Sequence, residues 1–147
     1  MNFGQLLNKA RQANGLNLSD VAKATGIAPT NLHRMETGAR PPPAPEKIES
    51  IMRAVQMDAR SSALLLWLVG HEMPEVLAHL ALQDRSLALE DCESAALMRW
   101  VHVSPEKLSK ETWLRVVHHI CQAREGAERE ASLTVARDWP EIKKGKS

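Results

Sequence analysis

The sequence predicts an all-α fold: five short helices at the N-terminal end, followed by a C-terminal helical region. Three observations carry this. Ala (19) and Leu (18) dominate the 147 residues, and both are strong helix formers. Aromatic residues are scarce, with four Trp, one Phe and no Tyr, which disfavours an all-β fold built on Tyr, Phe, Val and Thr. Apolar residues recur at steps of three and four between Gly and Pro punctuation, the period of helices with one buried face.

Each element follows in order. Phe3 to Asn14 carries Phe3, Leu6, Leu7, Ala10 and Ala13 at helical spacing and stops at Asn14-Gly15. Asn17 opens a second helix with Asp20 three residues on, a weaker capping box, and Gly26 ends it after Thr25. Pro29 takes the favoured first position of a third helix, which closes at Thr37-Gly38. Pro41-Pro42-Pro43 then forces extended backbone. A fourth helix is expected from Glu46 to Val55, with Ile48, Ile51, Met52 and Val55 on one face, and a fifth from Asp58 to Val69. Beyond Gly70, helical patterns cover Pro74 to Gln83, Glu90 to His102 and Pro105 to about Arg137. In the last, Trp113, Val117, Ile120, Ala127 and Ala131 form a partial seam that Arg124 interrupts, and Gly126 is expected to weaken or break the helix. The expected organisation is residues 1–70, residues 71–137 and a frayed tail at 138–147.

Net charge is +1, but residues 1–60 carry eight basic against five acidic side chains while the remainder is slightly acidic. The N-terminal part therefore suits an anionic partner better. The longest apolar run, Ala63 to Val69, is too short for a bilayer. The N-terminus shows no basic-then-apolar leader. The expectation is a soluble, cytoplasmic protein without membrane contact.

Chemistry-bearing residues point away from catalysis. Cys92 and Cys121 lack disulfide or metal spacing and read as reduced thiols. His118 and Cys121 stand at i, i+3 and could offer two metal ligands, but with Cys92, His102 and His119 they make no CxxC or HxxxH pair. Core thiols and solvated imidazoles are the preferred reading, with no metal. No nucleophile elbow or Gly-rich phosphate loop is present. Trp67, Trp100, Trp113 and Trp139 read as core rather than as a ligand pocket. The expectation is a non-enzyme with no cofactor.

One stretch is specific. From Leu16 to Gly38 the chain spells a helix, a tight turn and a second helix. Ala22 is small enough for a crossing helix, and Gly26 can reverse the chain in the left-handed conformation. Val21, Ile27, Leu32 and Met35 can then share a small core, leaving Thr30, Asn31, His33 and Arg34 outside. This pattern, with helices of suitable length on both sides, resembles the Cro/repressor-like (XRE-type) helix-turn-helix family over about residues 3–57.

The resemblance implies a five-helix DNA-binding domain like that of lambda repressor. Pro29 to Thr37 would be the recognition helix in the major groove. Thr30 and Arg34, with Asn31 and His33 beside them, would meet base edges. Thr37 and Arg40 would meet phosphate. Arg11 and Glu36 match an ion pair that pins the first helix to the recognition helix. Two positions depart from the family: Leu18 stands where a phosphate-binding polar residue is usual, and Pro29 replaces a frequent base reader. One domain should therefore bind weakly, and a homodimer on a two-fold site in double-stranded DNA is expected. The function implied is a sequence-specific transcriptional regulator, more readily a repressor. The alternative is a protein-binding module, such as an antitoxin or anti-activator, that sequesters a partner through residues 71–137.

Overall fold

A computed structural model describes residues 1–138. Trp139 and the rest of the expected frayed tail lie outside the described residues. Within them all the regular structure is helical: α1 (Phe3–Ala13), α2 (Leu18–Thr25), α3 (Pro29–Glu36), α4 (Pro45–Ala54), α5 (Ala59–Trp67), α6 (Glu75–Gln83), α7 (Leu89–Ala96), a 3₁₀ turn at Pro105–Lys107, and α8 (Lys110–Asp138).

The helix starts follow local chemistry. Asn2 and Gln5 form a reciprocal capping box at α1, and Asn17 and Asp20 form another at α2. Each satisfies donors that a helix N-terminus leaves open. Asp58 caps α5 through the Ser61 amide at 2.7 Å. At α3 and α4, Pro occupies the first position and no side chain caps. Pro has no N–H to satisfy there.

Around these helices a single core forms, and it runs across residue 70. Leu6, Leu7, Val21, Leu32, Ile48, Ile51 and Val55 from the first four helices join Leu64, Leu65, Met73, Leu77 and Ala81, then Cys92, Trp113 and Val117. Polar contacts reinforce the join. The Met73 amide donates to the Met1 carbonyl at 3.0 Å. From α5, the Arg60 guanidinium donates to the carbonyls of Ala81, Asp84 (3.2 Å) and Leu87 (2.7 Å). Two of these, Ala81 and Asp84, are acceptors at the C-terminal end of α6, and Leu87 lies in the loop that follows.

Three expectations about the C-terminal half need correction. The helix expected from Pro105 begins instead at Lys110, after a separate 3₁₀ turn at Pro105–Lys107. The helix expected from Glu90 to His102 ends at Ala96. Beyond it the chain turns so that Trp100 meets Trp113 edge-on, with ring centroids 5.7 Å apart. Burying an aromatic pair outweighs continuing a short helix. Gly126 does not break α8, which continues to Asp138. A mid-helix glycine costs only about 1 kcal/mol, and the Arg124–Glu128 pair at 3.1 Å spans it.

Candidate nucleic-acid interface

The candidate surface depends on how α3 is held. Behind it, Leu32 and Met35 are buried. Val21 of α2 and Ile27 of the turn complete this small core. The turn itself is built by Gly26, at φ 71°, whose amide donates to the Ala22 carbonyl at 2.9 Å. The Thr25 hydroxyl donates to the Val21 carbonyl at 2.7 Å and accepts from the Ile27 amide at 3.3 Å. Gly38, at φ 78°, ends α3 in the left-handed conformation.

Glu36 is buried at 8% exposure, rare for a carboxylate, and it is fully engaged. Arg11 of α1 grips it at two points, Nε to Oε1 at 2.6 Å and Nη2 to Oε2 at 3.1 Å. Asn8 Nδ2 donates to Oε2 at 2.8 Å. Arg11 Nη1 also donates to the Leu16 carbonyl at 2.8 Å, just before α2. One guanidinium therefore ties α1 and the entry to α2 to the end of α3. The Glu36 side-chain hydrogen bond raises the Arg11 pKa, so the cation is fixed. Asn8 was not anticipated from sequence. Its only signal is its position three residues before Arg11, on the same side of α1.

With α3 locked from behind, its other side faces outward. Thr30, His33 and Arg34 are exposed, and Asn31 is half-buried at the edge of the core. Thr37 and Arg40 are also exposed. The Thr37 hydroxyl donates to the Arg34 carbonyl at 3.2 Å, so its hydrogen must turn away from the helix end to reach a phosphate. The Arg40 amide donates to the same carbonyl at 3.0 Å, which folds the loop after α3 back on the helix. Leu18 is half-buried and packs against the core, so its departure from the polar pattern serves packing.

Elsewhere the chemistry-bearing residues are dispersed. Cys92 is fully buried, Cys121 is half-buried, and His102, His118 and His119 are exposed. Among the described residues no cluster of three or more His, Cys, Asp or Glu is arranged to hold a metal ion. No helix among them is long and apolar enough to cross a membrane.

Residues 2–65 fit the model of a family described as a helix-turn-helix domain. No curated protein matches the chain. The match spans α1 to α4 and most of α5, the helices that build and brace the turn. Residues 2–65 are therefore similar to a helix-turn-helix domain, consistent with the Cro/repressor-like resemblance of the sequence.

Proposed function

We propose that the protein is a sequence-specific transcriptional regulator, a cytoplasmic dimeric repressor of its own or neighbouring genes. The observation that carries this reading is the split character of α3. Leu32, Met35 and Glu36 are buried, while Thr30, His33 and Arg34 are exposed on a helix too well braced to need them for stability. In this reading Arg34 takes guanine O6 and N7 in a two-pronged contact, with about 1–3 kcal/mol of discrimination. Thr30, Asn31 and His33 meet neighbouring base edges. Thr37 and Arg40 meet phosphate and set the register. Occupying an operator is enough for repression, so no further machinery is required.

Residues 1–70 would read DNA, and residues 71–137 would bring two copies together on a two-fold site. Selection from a random duplex library tests this. The expected outcome is an inverted repeat with half-sites about one helical turn, 10–10.5 bp, apart. Recovery of no common sequence would reject specific reading.

A protein-binding module is the second reading, and one observation favours it. Leu97, Met98, Val101 and Val103 are exposed between α7 and α8 (61%, 44%, 75% and 48%). Apolar side chains gathered at a surface mark contact sites. Affinity capture with the full chain as bait would recover a stoichiometric partner under this reading and none under the first.

A further inference from the structure

The outward face of α3 changes chemistry along its length. Its C-terminal end shows His33, Arg34 and Thr37, with Arg40 following in the loop, and all four are exposed. Its N-terminal end shows Ala28, Pro29 and Thr30, which are exposed as well. Steps of four set Pro29 in line with His33 and Thr30 in line with Arg34, so both ends belong to one face. The N-terminal end offers little to hydrogen-bond. Pro29 has no amide hydrogen, and the amides of Asn31 and Leu32 already donate to the Ala28 carbonyl at 3.0 and 3.1 Å. No side chain caps the helix here. The surface consists of the Ala28 methyl, the Pro29 ring, and a threonine with one methyl and one hydroxyl.

We propose that Ala28, Pro29 and Thr30 read a thymine through its C5-methyl group. This rests on the DNA-reading function above and adds what the apolar end of α3 takes.

In the major groove thymine alone presents a methyl group, beside its O4 acceptor. Ala28 and Pro29 can cover the methyl, and the Thr30 hydroxyl can donate to O4. Guanine and adenine present hydrogen-bonding groups there, and cytosine an amino group. Pressed against Ala28 and Pro29, those groups would lose water and gain no partner, which is costly. The same surface therefore favours thymine and rejects the other three bases. Pro29 stands where the resembled family often has a polar base reader, and here it reads by apolar contact instead. Its ring and the Ala28 methyl have almost no side-chain freedom to lose on contact. From Pro29 to Arg34, α3 rises about 7.5 Å, or about two base-pair steps of 3.4 Å. The thymine is thus expected within about three base pairs of the guanine taken by Arg34.

Selection by the full chain from two random duplex libraries tests this. One library is amplified with deoxythymidine triphosphate and the other with deoxyuridine triphosphate, which omits only the methyl. The first should yield a thymine close to a guanine. The second should yield the same guanine, with uracil no longer enriched at the thymine's place. On the recovered duplex, changing that one thymine to uracil should weaken wild-type binding about fourfold, the effect of one methyl-sized group leaving an apolar contact. Pro29→Gln should be indifferent to this change and should prefer adenine there, whose N6 and N7 a glutamine side chain can pair. Circular dichroism should show its helical content unchanged. Equal enrichment of thymine and uracil beside the guanine would overturn this proposal alone and leave base reading by α3 standing. A fourfold methyl penalty that persists in Pro29→Gln would place the methyl against another side chain and overturn it equally. No shared sequence from either library would defeat the function on which it rests.

Discussion

Gly4 of α1 lies directly against the end of α3. A Cβ added at Gly4 would sit 2.6 Å from the carbonyl oxygen of Glu36 and closer still to that of Met35. Only a residue without a side chain lets α1 pass this near the end of α3. Gly4→Ala should therefore push α3 outward. The expected loss is about 1–3 kcal/mol, the usual cost of overpacking. At about 2–4 °C per kcal/mol the melting temperature should fall by several degrees. An unchanged melting curve would mean the two helices are not this close.

The Arg11–Glu36 pair is almost fully buried, with side-chain exposures of 14% and 4%. Removing one partner strands the other, at a cost of about 3–5 kcal/mol. Glu36→Ala should approach that loss, and Arg11→Ala should be of the same order. The double variant should lose less than the two singles together, by about 0.5–3 kcal/mol. Strict additivity in denaturant melts would show that the pair is not formed in solution.

Acid should unfold the protein partly through Asp91. Its two hydrogen bonds from Arg124 outweigh the burial that opposes them and hold its carboxyl below the usual range. Because the folded value is depressed, the stabilisation is complete above the unfolded aspartate value, about 3.9. It is lost as pH falls through the lower folded value. Thermal melts between about pH 5 and pH 2 should show a steep loss at the acid end, and Asp91→Asn should flatten it. The flattening will be partial, since Asp58 and Glu75 are also held low, Asp58 mainly by the Ser61 amide. An unaltered acid slope in Asp91→Asn would remove this residue from the account.

The two thiols should differ in reactivity. Burial pushes the Cys92 thiol up to about 11, and its side chain has no exposed surface. At pH 8 a disulfide reagent should modify Cys121 in the folded protein and reach Cys92 only on unfolding. Two equivalent fast reactions would contradict the packing of α7 against α8.

Much of the N-terminal half is written in local sequence. Asn17 with Asp20, Gly26, and Pro29 mark the ends of α2 and α3 within a few residues, and Leu32 and Met35 show the buried side by their spacing. The Arg11–Glu36 pair was accessible only through family resemblance, because nothing local joins positions 25 apart. Contacts fixed by tertiary packing left no such trace. Gly4 reads as a helix-weakening residue until the carbonyls opposite it are known. Arg60 reads as a surface charge, although it satisfies three carbonyls beyond α5. Arg124 looked like a flaw in an apolar seam, and it is the residue that neutralises buried Asp91. The early end of α7 depends on Trp113, which lies 17 residues beyond Ala96.

The central claim is that the exposed side of α3 reads base edges through Arg34. Fluorescence-anisotropy titration of a selected duplex and a scrambled one, at two salt concentrations, tests it most directly. The wild type should prefer the selected duplex, and Arg34→Ala should lose about 1–3 kcal/mol on that duplex while its binding to the scrambled one stays unchanged. Equal loss on both duplexes would make Arg34 a phosphate contact, and no wild-type preference at either salt concentration would contradict the account.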